Sequence, residues 1–132
     1  MDIQHILGEV NTRLYINGEW RDGAQGETYE VLNPATEEVI ATMASGTRED
    51  ALDALAAADE AQKTWAHTSP RERAEILRKG YDLVKERKEA FAAIMTTEMG
   101  KSYTEALGEV DYGADYLLSV SYTHLRAHET KA

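Results

Sequence analysis

The sequence predicts a β-hairpin and strand region followed by several amphipathic α-helices. Three observations carry this reading. Asn17-Gly18 stands between the short runs "LYI" and "EWR" and suits the positive φ angles of a type I′ hairpin turn. From Thr47 the apolar residues recur with a helical period instead of alternating. Ser69-Pro70, Gly100 and Ser102 then supply start and stop signals that divide the remainder into separate helices.

The elements follow in order. After the hairpin, "ETYEVLN" alternates Tyr29 and Val31 with Thr28, Glu30 and Leu32. Asn33-Pro34 ends that strand, because Pro has no N–H for a ladder and restricts the residue before it. "EVIATMA" forms the next strand, with Val39, Ala41 and Met43 on one face. Thr47 and Asp50 have the spacing of a helix cap, and Ala51, Leu52, Leu55, Ala58, Ala61 and Trp65 form one apolar stripe. Ser69 caps the next helix, Pro70 fits its first position and Glu72 closes a capping box. Ala74, Leu77, Tyr81 and Val84 make its buried face, with Glu75 and Lys79 paired on the wet side. "KERKE" marks a bend, after which Phe91, Ile94 and Met95 resume the stripe. Trp20 and Trp65 are expected as core anchors.

Gly100-Lys101-Ser102 has the ending of a phosphate-binding loop, but that loop needs a Gly five residues earlier, where Met95 stands. The triplet reads better as punctuation. Gly100 tolerates the left-handed conformation just past a helix end. Ser102 with Glu105 opens a new helix, on which Tyr103, Ala106, Leu107, Val110, Ala114 and Leu117 share a face.

The 132 residues carry a formal net charge of −10. That excludes nucleic acid and an anionic membrane as expected partners, since both select clustered Lys and Arg. There is no Cys, hence no disulfide and no thiol nucleophile in this sequence. The N-terminal "MDIQHILGEVNTRLY" lacks the basic start and apolar core of a signal peptide, so a cytoplasmic location is expected.

Two constellations invite chemistry. Glu105 and Glu109 stand one turn apart, as do Asp111 and Asp115. No His or Lys is placed in sequence to tune their pKa values, and an acidic solvated face accounts for them. His124 and His128 have the spacing of a helical zinc pair without the rest of a zinc motif. His5 and His67 are isolated. No complete active site is legible from residue types and spacing.

Taken together, "LYINGEW", "YEVLNPATEEVIATMASGTREDALDALAAADEAQKTW", "SPRERAEILRKGYDLVKERKEAFAAIMTTEMGK" and "EALGEVDYGADYL" resemble, in order and spacing, the N-terminal part of aldehyde dehydrogenases. "TTEMGK" followed by "GEVDYGADYL" is most similar to the succinate-semialdehyde dehydrogenase branch. The resemblance implies an α/β parent with a Rossmann-like cofactor domain. This region would be an incomplete part of that domain over residues 1–118. It implies oxidation of a small aldehyde to its acid, with NAD or NADP accepting hydride from a substrate held on a cysteine thiolate. The catalytic Cys, the water-activating Glu and the cofactor contacts lie later in the family pattern. No catalytic or cofactor-binding residue is therefore expected here, and the chain alone should bind no cofactor and be inactive. The parent is expected to be a homo-oligomer.

The resemblance also implies two minor sites. Val31, Leu32 and Glu98 match positions that hold a structural cation through two carbonyls and a carboxylate in some members. Glu109 and Gly113 match the mouth of the substrate entrance. After "DYLLS" the sequence departs from the family. Residues 119–132, ending "VSYTHLRAHETKA", resemble translated adapter read-through at the ends of some metagenomic gene predictions. They are expected to contribute nothing to the fold, with Tyr122 and Leu125 exposed. The alternative reading is a small acidic helical interaction module without catalysis.

Overall fold

The computed structural model describes residues 3–129, with side chains as far as residue 123. It comprises two compact units, one ending at His67 and the other beginning at Thr68.

The first unit contains α1 (Ile3–Gly8), β1 (Leu14–Ile16), β2 (Glu19–Arg21), β3 (Thr28–Leu32), β4 (Val39–Ala44) and α2 (Arg48–Trp65). The turn of helix at α1 was not anticipated. Ile3, Ile6 and Leu7 have the i, i+3, i+4 spacing that favours it, although none is fully buried. β1 and β2 pair antiparallel, with Tyr15 opposite Trp20 and Ile16 opposite Glu19. Asn17 at φ 53° and Gly18 at φ 82° form the expected two-residue turn. β3 and β4 form a second two-stranded antiparallel sheet, with a register shift between Val31 and Leu32. Asn33 organises the connection between them. Its backbone N–H donates to Glu38 O at 2.9 Å, and its side-chain oxygen accepts the Ala35 N–H at 2.9 Å.

Two expectations for this unit are corrected. Trp20 is not a core anchor, because it packs at the hairpin surface on Tyr15, with ring centroids 4.8 Å apart. The apolar stripe of α2 is uncovered: Leu52 and Leu55 are 52% and 66% exposed, and Trp65 is 41% exposed. The buried residue of α2 is instead Asp50. Periodicity identifies an apolar face correctly, but it does not supply the surface that covers it.

The second unit is helical: α3 (Pro70–Glu86), α4 (Lys88–Met99) and α5 (Tyr103–Glu129). Ser69 and Glu72 form the reciprocal cap of α3, and Pro70 occupies its first turn. Arg87 breaks the helical course between α3 and α4, the bend expected at "KERKE". Among the described residues of this unit, the buried apolar ones are Ala74, Ala92, Ala106, Val110 and Ala114, with Val84, Met95 and Leu107 packed on the central cluster. Small side chains let the helix axes approach closely, so α5 packs along both α3 and α4. Within α4 the buried position is Ala92, whereas Phe91, assigned to the stripe, is exposed. The wet-side partner of Glu75 is Arg71 one turn earlier, at 3.1 Å, where Lys79 was expected.

Gly100 lies at φ 73°, ψ 12°, and its N–H donates to Thr96 O at 3.0 Å. This is the left-handed stop required between α4 and α5. Gly100→Val should destabilise the helical unit by about 1 to 2 kcal/mol, because a β-branched residue is strained at positive φ. An unchanged thermal midpoint would show that the junction tolerates a side chain.

Past Leu118 the helix continues. Tyr122 is 53% exposed, as expected, whereas Ser121 is only 4% exposed and its hydroxyl donates to Leu118 O. The expectation that nothing beyond Ser119 enters the fold is thus corrected at Ser121, which lies on the α5 face continued from Ala114 and Leu117. The side chains of Leu125, His124 and His128 lie outside the described residues.

Candidate functional site

α5 presents the candidate entrance residues. Its start is fixed by Ser102, whose hydroxyl accepts the Glu105 N–H at 3.4 Å and donates to the Glu105 carboxylate at 2.9 Å. Ser102 is therefore occupied as a cap, and Gly100 as a helix stop, so "GKS" builds no phosphate cradle. With Ala106, Val110 and Ala114 turned inward, the 3.6-residue period turns Glu109, Tyr112, Gly113 and Tyr116 outward.

Glu109 and Gly113, one turn apart, share this exposed face. Glu109 is ion-paired with Lys101, so the lysine at the middle of the loop-like triplet fixes the carboxylate. Gly113 is open, and a Cβ added there would meet nothing within 4 Å. Tyr112 and Tyr116 flank it as an edge-to-face pair, with centroids 5.0 Å apart and planes at 86°. Their phenols are hydrogen-bonded to one another, which, with partial desolvation, holds the Tyr116 phenol above its ordinary range. With Asp115 and Ser119 the pair lines a depression of about 260 Å³. The sequence reading missed these tyrosines, although their i, i+4 spacing was visible.

The other acidic residues have structural neighbours. Asp111 accepts from both Lys85 and Lys88, hydrogen bonds that hold its carboxyl below the usual range. The same contact with Asp111 raises Lys85, with a smaller contribution from the charge on Asp115. Glu72 is held below its ordinary value by the Ser69 hydroxyl and N–H. These groups form bridges between helix termini and faces rather than a pair of carboxylates with pKa values pushed apart.

The residues matched to a structural cation lie in different units: Val31 and Leu32 in β3, Glu98 in the last turn of α4. Val31 and Leu32 straddle the register shift of the second sheet. Glu98 is exposed. Among the described residues, no three His, Asp or Glu side chains gather as a metal site. Among the same residues, no helix is long and apolar enough to cross a membrane.

The polar centre that sequence reasoning missed is Asp50. It is 2% exposed and accepts hydrogen bonds from Arg21 Nη1 at 2.7 Å, Ala24 N at 3.0 Å, and Thr47 N and Oγ1, each at 2.8 Å. The backbone bonds from Thr47 and Ala24 lead in holding its carboxyl far below the ordinary value of 3.8, and those from the Thr47 hydroxyl and Arg21 add to them. Arg21 also reaches Asp53 at 3.1 Å. The Thr47–Asp50 cap was legible from spacing, but its ties to Arg21 and Ala24, more than twenty residues earlier, were not.

Comparison with known proteins places this geometry. The sequence pattern of the aldehyde dehydrogenase family matches residues 20–131, running past Leu118. Succinate-semialdehyde dehydrogenase of Paenarthrobacter nicotinovorans is 60% identical over 79 residues, which are 60% of this chain and 18% of that protein. Glutarate-semialdehyde dehydrogenase of Pseudomonas putida is 42% identical over 103 residues, covering 78% of this chain and 22% of its own length. Among solved structures, betaine aldehyde dehydrogenase from Staphylococcus aureus in complex with NAD+ superposes with a TM-score of 0.89 at 31% identity, over 92% of this chain and 24% of that one. The chain thus spans about a fifth of the length of the curated relatives it matches.

Proposed function

The chain belongs to the aldehyde dehydrogenase family, and from that premise we propose that it is the N-terminal segment of an enzyme that oxidises succinate semialdehyde to succinate in the cytoplasm. The observation that carries the substrate is the 60% identity to a succinate-semialdehyde dehydrogenase over 79 residues. Bound NAD or NADP would supply the hydride acceptor of the whole enzyme. Gly100 and Ser102 are engaged at a helix junction, so the Gly-Lys-Ser triplet is not assigned to the cofactor's phosphates. What this segment contributes is positional. α5 carries Glu109, Gly113 and the tyrosine pair on one exposed face, and the Lys101 pair holds Glu109 there. In the whole enzyme that face would border the substrate entrance, and a homo-oligomer is the expected assembly.

Two measurements test this reading. The 132-residue chain should show no reduction of NAD or NADP with succinate semialdehyde, because it holds no thiol to form the covalent intermediate. Turnover above a heat-killed control, in a preparation free of host dehydrogenase, would overturn that expectation. Full-length enzyme carrying this segment should have its highest kcat/KM with succinate semialdehyde. A clear preference for malonate or glutarate semialdehyde would reject the substrate while leaving the family intact.

A further inference from the structure

The hairpin and the two residues that follow it contain two dipeptides of the type that closes to a cyclic imide, Asn17-Gly18 and Asp22-Gly23, and the fold treats them oppositely. We propose that Asn17 is a site of spontaneous modification in the folded protein, its side-chain amide converting to aspartate and isoaspartate, while Asp22-Gly23 is kept shut. The inference does not depend on the enzymatic reading.

Five features open the first dipeptide. Asn17 and Gly18 are exposed at the tip of the turn. Among the described residues the Asn17 amide makes no side-chain hydrogen bond. A Cβ at Gly18 would meet nothing within 4 Å, and glycine itself brings no side chain beside its nitrogen. The ladder closes at Ile16 and Glu19, which leaves the N–H of the second turn residue outside it. The hairpin has only three residue pairs in a two-stranded sheet, so local opening to the attacking geometry costs little.

The chemistry needs only water. The Gly18 nitrogen attacks Cγ of Asn17, the Cγ–Nδ2 bond breaks, and ammonia leaves with the proton lost from the Gly18 amide. Water then opens the imide at either carbonyl, giving aspartate or β-linked isoaspartate. The isoaspartyl product inserts a methylene into the backbone. A loop of two residues then no longer brings Ile16 onto Glu19 in register, and the Tyr15–Trp20 ring contact is lost with it.

The second dipeptide is closed by packing. Gly23 is buried, with Ser45 O only 2.1 Å from where a Cβ would stand. Asp22 is tied to Arg13 at 3.3 Å. The other two asparagines serve as references. Asn33 precedes Pro34, which has no N–H to attack, and Asn11 precedes the β-branched Thr12 with its oxygen accepting the Arg13 N–H at 3.0 Å.

Trypsin places the three asparagines in separate peptides, and Leu14–Arg21 isolates Asn17 from Asp22. The whole protein is incubated in mildly alkaline native buffer and, in parallel, in urea. Peptide mass and reversed-phase retention are then followed, with the Asn17→Asp variant as the standard for the aspartyl product. The native rate for Asn17 should lie within about tenfold of its urea rate, as a cheap local opening requires, with isoaspartate among the products. The native rate for Asp22 should fall more than about tenfold below its own urea rate. Asn11 and Asn33 should keep their amides in native buffer. Protection of Asn17 beyond that limit, equal conversion of both dipeptides, or an aspartyl product without isoaspartate would each overturn the proposal.

Discussion

Gly23→Ala should unfold the N-terminal unit at temperatures where the unmodified protein is still folded. The added Cβ would stand 2.1 Å from Ser45 O, 3.2 Å from Ser45 C and 3.4 Å from an Asp50 carboxylate oxygen. The nearest atom is backbone, so no side-chain rotation relieves the clash. Ser45 is itself held, its N–H donating to Glu27 O at 2.8 Å while neighbouring Ala44 N–H donates to Thr12 O at 2.8 Å. Forcing these two segments apart should cost about 3 kcal/mol, the upper part of the range for overpacking. A small unit has only about 5 kcal/mol of stability to lose. Gly8→Ala is the matched control, because a Cβ there meets nothing within 4 Å. Thermal unfolding by circular dichroism separates them. Equal midpoints for Gly23→Ala and the unmodified protein would mean that the close approach at Ser45 does not constrain the fold.

Asp50→Asn should come next in effect and should change the pH dependence as well as the stability. The carboxylate is the common acceptor for the strand end at Arg21, the loop at Ala24 and the helix cap at Thr47. An amide in its place turns one acceptor into a donor facing backbone N–H groups. Arg21 is partly solvated, so the main loss falls on the buried N–H groups of Ala24 and Thr47 rather than on an abandoned charge. The fall in melting midpoint should exceed several-fold that of Lys63→Ala, which removes an exposed pair with Glu60.

The sign of the pH effect follows from the depressed carboxyl. Its folded-state pKa lies below the ordinary value of 3.8, so the stabilisation is fully present above that value. It declines as the pH falls below about 4 toward the folded-state value, where the native state must take up a proton. The unmodified protein should therefore lose stability steeply in that window, and Asp50→Asn should flatten the slope. Glu72 and Asp111 are also held low and leave part of the acid response in both proteins. If the two acid-unfolding profiles run parallel, Asp50 is not the acceptor that joins the hairpin to α2.

Local chemistry was readable because its causes lie within a few residues. The Asn17-Gly18 turn, the boxes at Thr47 and Ser69, the break at Arg87 and the left-handed Gly100 each depend on neighbours three or four positions away. Burial was read less well. The apolar periods of α3 and α5 named Ala74, Ala106, Val110 and Ala114 correctly, since those helices pack on one another. The equally regular period of α2 named a face that stands open, and in α4 the stripe fell one residue away from Ala92. On α5, Glu109 and Gly113 came from family resemblance alone, and only the helix register set the Tyr112–Tyr116 pair beside them.

By itself the sequence determined the order of the elements from β1 onward, their caps and stops, and the family whose pattern they follow, because these are set by residue identity and short spacing. Only the tertiary structure decided what Asp50 and Gly23 are for. A carboxylate that joins residues 21, 24 and 47, and a glycine that admits a carbonyl from residue 45, answer to partners brought near by the fold. Hydrogen bonding and steric exclusion act over a few ångströms of space, whatever the separation in sequence, and no local period records them.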